Sequence, residues 1–456
     1  MQLKNVIESP CGLRYMLDEL ELQSGYARRW LLETEMMTTA EEVEAAYAVL
    51  RKFAAFVQQV DKTYITTLQF KLQKLKDIRT TIKNLHGGAI LDDIELFEVK
   101  HLAILSTDVA KLLLAHGMEG VVAIPDLSPV ITILDPDGMK IATFYIYDSY
   151  CKELKDLRKA MRSNPDEQEA LLAQASELEA QVRADLSRDL RPFTASIEQA
   201  LTSLARIDVF LAKALQMQRW GLCFPTLSAT DVTRYEGLFN PQVLDARARV
   251  RKTFQPVDIE FGSTPTLITG ANMGGKTVVL KTLTLCQYLF QYGFGIPAAA
   301  ASITLRDEVH FCIGDDQSVE KGLSSFAAEM KHIDAVIAAS RRGGRLLALI
   351  DEPARTTNPT EGTALVEALL DVLGNGQLSL VMTTHYDVSA HGAHCLRVKG
   401  LENGQMNYQL VDAPAGEVPH EALNIAESLG IDQQWIGRAR QLLERNRDKN
   451  PERHII

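Results

Sequence analysis

The sequence lacks paired cysteines. Its six cysteines, Cys11, Cys151, Cys223, Cys286, Cys312 and Cys395, are scattered over 456 residues, and no two have CxxC spacing. That argues against a disulfide framework and against a zinc ribbon, and it suits reduced thiols in a cytoplasmic protein. Long apolar runs are missing too. The N-terminus, MQLKNVIESP, has no apolar signal-peptide core. The longest small-apolar run, Ile296 to Ala301, falls far short of the roughly 18 residues a membrane-crossing helix needs. No membrane partner is expected. There is no excess of positive charge: the formal net charge is −11. Proteins that coat nucleic acid are usually basic, because phosphate contacts dominate their affinity. An acidic chain can still hold DNA on a local basic patch, so the charge weighs against a DNA partner without excluding it. No internal repeat and no low-complexity tract is visible.

What is present is an ordinary globular composition, 46% apolar and 23% charged. A chain of 456 residues is too long for one core, so two or three domains are expected. Residues 1–245 are mostly helical in pattern. Leu32, Ala45, Ala46, Val49, Leu50, Phe53 and Phe56 recur at helical spacing, and Thr38 and Thr39 before Glu41 and Glu42 suit an N-cap. Around Asp135-Pro136-Asp137-Gly138 the apolar runs Val130 to Leu134 and Ile141 to Ile146 suggest a β-hairpin or a short extended excursion. Residues 150–215 read as helices broken at Asn164-Pro165 and Arg191-Pro192, either a projecting antiparallel pair or part of a plain bundle. From 246 the pattern alternates strands with helices, the rhythm of a mostly parallel α/β sheet over 246–415. The tail, 416–456, returns to helix.

The chemistry concentrates in the second half. Gly270-Ala271-Asn272-Met273-Gly274-Gly275-Lys276-Thr277 follows strand-like Thr264 to Ile268 and precedes helical Val278 to Leu289, and it fits G-x-x-x-x-G-K-[ST]. Glycines let backbone N–H groups turn toward phosphate, and the following helix points its N-terminus there. Lys276 can reach the β- and γ-phosphates, and Thr277 can offer a hydroxyl to Mg²⁺. The apolar run Leu346 to Ile350 ends in Asp351-Glu352. A strand-end acid pair is often merely solvated. After such a loop it suits Mg²⁺ binding by Asp351 and water activation by Glu352. Leu378 to Met382 ends in Thr383-Thr384-His385, where a histidine can sense the γ-phosphate or simply cap a loop. Gly322-Leu323-Ser324-Ser325-Phe326 opens a helix, as a phosphate contact or as a plain N-cap.

Taken together, these elements resemble the MutS family of ABC-type ATPases. The Gly-rich loop resembles that family's GPNMGGKS, with Asn272-Met273 the distinctive part. Gly314-Asp315-Asp316, Gly322 to Phe326 and Glu329-Met330 resemble GASDD…GxSTFxxEM. Asp351 to Thr357 resembles DEIGRGTS, Thr384-His385-Tyr386 resembles ATHY, and Phe254 to Asp258 resembles FVPND. The resemblance implies an α/β P-loop NTPase domain of ABC/MutS type behind a mostly α-helical lever, with a C-terminal helix-turn-helix for dimerisation. It implies ATP and Mg²⁺ as ligands, Phe254 stacking on adenine, and Ser324 acting in trans on phosphate held at Lys276. The implied assembly is a homodimer, or a heterodimer with a MutS-like partner. Ser24 to Leu32 looks like the start of the lever. The sequence departs from the family in several respects: no Phe-x-Glu wedge is found, the span from 163 to about 200 looks short for a clamp, Ala271 stands at the loop's proline position, and Asp-Glu-Pro-Ala replaces Asp-Glu-Ile-Gly.

Two clients follow from these readings. The first is DNA, in mismatch repair or recombination, with Lys152, Lys155, Arg158, Lys159 and Arg162 as a candidate basic strip or a solvated charged face. The second is a protein, since some MutS-like proteins of this size resemble reactivating factors for cobalamin-dependent aminomutases. A transporter ATPase fits poorly, because an LSGGQ-type signature is replaced by Gly322-Leu323-Ser324-Ser325-Phe326.

Overall fold

The computed structural model describes residues 1–141, 143–163, 168–270, 274–313, 325–374, 378–389, 392–402, 405–414 and 431–449. In chain order the helices are α1 (Leu13–Asp18), α2 (Gly25–Glu33), α3 (Ala40–Gln59), α4 (Lys62–Leu72), α5 (Arg79–His86), α6 (Asp93–Leu114), α7 (Ser128–Leu134), α8 (Lys152–Ser163), α9 (Gln168–Leu190) and α10 (Thr194–Trp220). They continue with α11 (Pro241–Arg249), α12 (Lys276–Gln291), α13 (Ser325–Arg342), α14 (Pro359–Gly374) and α15 (Gln433–Lys449). The strands are β1 (Thr226–Leu227), β2 (Thr233–Leu238), β3 (Val257–Phe261), β4 (Thr266–Thr269), β5 (Ala300–Ile303), β6 (Glu308–Ile313), β7 (Leu346–Asp351), β8 (Leu378–Thr383), β9 (His394–Glu402) and β10 (Gln405–Asp412).

The chain divides into two compact units. One comprises Met1–Lys4, Leu20–Glu35 and Ala45–Gln218, and the other comprises Asn5–Glu19, Met36–Glu44 and Arg219–Ile456. The division lies at 218/219, where the sequence suggested 245. The reason is that β2 has its ladder partners downstream, pairing antiparallel with β3 and β5.

The first unit is helical. Helix α10 is buried on nearly every face from Ala200 to Ala214, the signature of a central helix. It also carries a buried carboxylate. Asp208 accepts hydrogen bonds from Gln23 N (3.0 Å), Ser24 N (2.9 Å) and Ser24 Oγ (2.9 Å). Ser24 in turn caps α2 by accepting from Ala27 N at 3.1 Å. Burial pushes the Asp208 carboxyl above its usual range, against the pull of these donors. Helix α6 starts with a capping box, Asp92 accepting from Glu95 N and Glu95 accepting from Asp92 N.

Among the described residues no hairpin forms around 135. Residues 128–134 form α7, started by the Asp126 carboxylate on Ser128 N. The apolar run was ambiguous by periodicity. Val130 and Leu134, four apart, share the buried face, which suits a helix. The Asp135 carboxylate then accepts from Met139 N, Lys140 N and Tyr147 Oη and folds the turn back. In the candidate basic strip, Arg158 is committed inside the unit, to Asp148 at 2.8 Å and to Glu179 on α9 at 3.0 Å. The break at Arg191-Pro192 is a short 3₁₀ turn between α9 and α10. The break at Asn164-Pro165 lies outside the described residues.

The second unit holds a four-stranded sheet, β1-β5-β2-β3, and a six-stranded sheet, β10-β9-β4-β8-β7-β6. In the larger sheet β9, β4, β8, β7 and β6 run parallel and β10 is antiparallel. Strands β7 and β8 are buried at every position, as parallel strands covered on both faces are. The N-terminal stretches are tied to this unit by α12, whose Gln291 amide donates to both Met37 O and Arg306 O at 2.7 Å. The expected cap at α3 is present: Glu42 N donates to Thr39 Oγ1, and the Glu42 carboxylate accepts from Thr38 N and Thr39 N. Among the described residues no helix is long and apolar enough to cross a membrane.

Asp208 gives a stability test of the helical unit. Asp208→Ala strands two backbone donors, and it should cost about 2–4 kcal/mol. The check is the midpoint of urea unfolding, which Asp208→Asn, keeping one acceptor oxygen, should lower less.

Candidate functional site

Strand β4 runs into Gly270, whose φ is +136° and whose Cβ, if it had one, would lie 3.1 Å from Val398 Cβ. The conformation and the close approach both call for glycine. At the far end of the loop Gly275 is left-handed, φ +77°, and caps α12. Ala271, Asn272 and Met273 lie outside the described residues, as does Ser324. Gly274 is buried. Lys276, the first residue of α12, is only 3% exposed. Its ammonium donates to Gly270 O at 2.6 Å, closing the loop on itself, and stands 3.2 Å from Glu352 Oε1.

The acid pair sits where β7 ends. Thr277 Oγ1 donates to Asp351 Oδ2 at 2.7 Å, and Thr383 Oγ1 donates to Asp351 Oδ1 at 2.7 Å. Both carboxylate oxygens of a buried aspartate are therefore held by hydroxyls. The same Thr383 oxygen accepts from Glu352 N at 2.9 Å. Glu352 has φ +43°, a left-handed conformation that a non-glycine residue adopts only under surrounding constraint. Ala354, φ +61°, is pinned on both sides: its N–H donates to Glu329 of α13 at 3.1 Å and its carbonyl accepts from Tyr386 Oη at 2.7 Å. Burial pushes the Glu329 carboxyl up, with Ala354 N and Arg355 opposing.

His385 stands with its Nδ1 4.0 Å from Glu352 Oε2, beyond hydrogen-bond range. Among the described residues that nitrogen has no hydrogen-bond partner. Burial lowers the imidazole's pKa, Glu352 opposes, and Lys276 and Arg355 lower it further. His385 is therefore a neutral group at neutral pH, available to a polar atom between itself and Glu352.

Beside Gly274 and Gly275 opens a pocket of about 230 Å³, lined by Phe254, Gln255, Val257 and Tyr408 among others. Its apolar lining and two aromatic rings suit a flat heterocycle. Tyr408, on β10, is held by its N–H to Gln255 Oε1 at 2.9 Å, and Arg247 lies over its ring at 5.9 Å. So Gly270, Gly274, Gly275, Lys276, Thr277, Asp351, Glu352 and His385 converge on one site, with Phe254 in the adjoining pocket. Sequence reading missed Thr383 as a clamp and Tyr408 as a wall. The hydroxyl at the end of an apolar strand was the only signal for Thr383. Tyr408 arrives through a strand pairing that leaves no local mark.

Residues 266–443 match the family model MutS domain V. Over those residues the chain belongs to the MutS family. It is 26% identical over 442 residues to the Endonuclease MutS2 of Streptococcus mutans, covering 92% of this chain and 55% of that protein. The corresponding protein of Streptococcus pneumoniae is 27% identical over 438 residues, covering 88% of this chain and 53% of its own length. That of Streptococcus sanguinis is 31% identical over 279 residues, 58% of this chain and 34% of its own. The chain thus spans about half the length of the curated relatives it matches. For this MutS-family chain the domain brings nucleotide binding with it.

Thr383 sits where the ATHY pattern has alanine, directly before Thr384-His385-Tyr386, and its two bonds tie the Asp351 carboxylate to the backbone of Glu352. Thr383→Ala should slow ATP turnover by roughly tenfold to a hundredfold, the size of a small misplacement of a catalytic carboxylate, with little change in KM. Thr383→Ser should restore most of the rate. Steady-state phosphate release reads both.

Proposed function

We propose that this chain is a MutS-type P-loop ATPase that couples Mg²⁺-dependent ATP hydrolysis to the handling of DNA. The observation that carries it is the convergence of Lys276, Thr277, Asp351 and Glu352, all within one to two hydrogen bonds of each other. The donor set fits Mg²⁺: a hydroxyl oxygen and a carboxylate oxygen 2.7 Å apart are the hard ligands it takes, with waters and phosphate completing the shell. Mg²⁺, when bound, supplies charge neutralisation across the β- and γ-phosphates. The protein does the rest. Gly274, Gly275 and the N-terminus of α12 present N–H groups to phosphate oxygens. Lys276 exchanges Glu352 for the γ-phosphate, which releases the carboxylate. Glu352, steered by Thr383, takes a proton from the attacking water. Neutral His385 orients that water or the γ-phosphate. Phe254 and Tyr408 hold the base.

A second copy completes the site in this reading, with Ser324 of that copy capping the γ-phosphate. Exposed apolar side chains on α15, Trp435 and Leu442, suit burial against a partner subunit. The DNA client is carried over from the relatives, which are named as endonucleases.

Two experiments test the proposal together. Lys276→Ala should abolish ATP turnover, and Glu352→Gln should keep ATP binding while slowing hydrolysis by about 10²-fold or more. Wild-type turnover in Glu352→Gln would remove Glu352 from the mechanism. DNA binding is measured at low salt with and without ATP, and its absence in every nucleotide state would overturn the DNA reading and leave a protein client.

A further inference from the structure

The helical unit carries a second cavity, chemically unlike the first. It measures about 530 Å³ and lies between the end of α4, helix α6 and residues 140–141. Five lysines line it: Lys71, Lys74, Lys76, Lys100 and Lys140. Against them stands one lining carboxylate, Asp108, already paired with Lys71 at 2.7 Å. Among the described residues Lys74, Lys76 and Lys140 have no carboxylate in ion-pair range. In a chain of net charge −11, so dense a cluster of one sign raises the energy of the folded unit unless an anion sits among the ammoniums.

The cavity has a built floor. Lys100 is fully buried and its ammonium donates to Thr143 O at 2.8 Å, which leaves it further donors. Phe97 and His101, whose rings lie 5.8 Å apart, supply a partly apolar wall. Burial lowers the His101 pKa, and Lys76 and Lys74 lower it further, so the cluster's field is felt at the wall.

We propose that this cavity binds a compact oligophosphate anion, an inorganic triphosphate or the phosphate tail of a nucleotide, held by Lys74, Lys76 and Lys140 above the buried charge of Lys100. The lysines converge on a concavity and do not run along a strip, which fits a short, densely charged anion better than a polymer. The chain then has two phosphate sites on separate units, one where ATP is turned over and one where an oligophosphate is only bound.

The test uses the full chain carrying Lys276→Ala, so that the Gly-rich loop no longer contributes. Failure here is then separable from failure of the ATPase reading. Calorimetric titration at low salt with tripolyphosphate should show saturable binding of one equivalent, with orthophosphate much weaker. The double substitution Lys74→Glu, Lys76→Glu, on two exposed side chains, should weaken it at least about tenfold without changing the unfolding midpoint downward. ATP binding as tightly as tripolyphosphate would identify the phosphate tail as the recognised part, and tighter ATP binding would add the Phe97 wall. No saturable binding would overturn the proposal, as would binding indifferent to the charge reversal. It would also fall if a short DNA duplex bound through these lysines while tripolyphosphate did not.

Discussion

The site depends on one buried carboxylate being held at both oxygens. Asp351 receives Thr277 from the start of α12 and Thr383 from the end of β8, each at 2.7 Å. Strand order explains why these three residues meet. Strand β8 lies between β4 and β7, so its C-terminal end falls between the Gly-rich loop that follows β4 and the acid pair that ends β7. Ligands in open α/β sheets gather at the carboxyl ends of the strands for this reason. The second bond of Thr383, to Glu352 N, passes the constraint to the next residue and keeps it left-handed. A change in what Thr277 holds is therefore transmitted through two hydroxyl groups to the carboxylate proposed as base.

The loop, the acid pair and the strand-end histidine were legible in the sequence because each is local. A continuous apolar run such as Leu346 to Ile350 can be a buried strand or a short buried helix, and the alternation of strand and helix patterns around it decided which. The capping pattern at Thr39 and Glu42 was legible for the same reason. What was not legible is what depends on distant pairing. Thr383 looked like one more hydroxyl, and Tyr408 like one more strand residue, until β8 and β10 were placed. The stretch at 128–134 was misread because β-branched residues are compatible with both periods at that length. The N-terminal stretches 5–19 and 36–44 carry no mark of the unit they join, since the contact that ties 36–44 runs through the buried amide of Gln291, far along the chain.

The two units solve burial of polar groups differently. In the second unit one group of side chains, Lys276, Thr277, Asp351, Glu352 and Thr383, converges where phosphate is expected, and the interactions among them (Lys276 with Glu352, Asp351 with two threonines) are of the kind phosphate and Mg²⁺ compete for. In the helical unit Asp208 is wholly consumed by the start of α2 and serves the fold. At the α4–α6 cavity Lys71 and Lys100 are engaged by Asp108 and by Thr143 O, while Lys74, Lys76 and Lys140 have no carboxylate partner among the described residues.

The proposed mechanism depends most directly on Asp351 and Thr277 forming a Mg²⁺ site next to bound phosphate. A fluorescent ATP analogue titrated against the full chain, with Mg²⁺ and with chelator, measures this at equilibrium without reference to turnover or client. Mg²⁺ should tighten binding by about tenfold or more in the wild-type chain, and that gain should vanish in Asp351→Asn. Equal affinity with and without Mg²⁺, or a Mg²⁺ gain that survives Asp351→Asn, would contradict it.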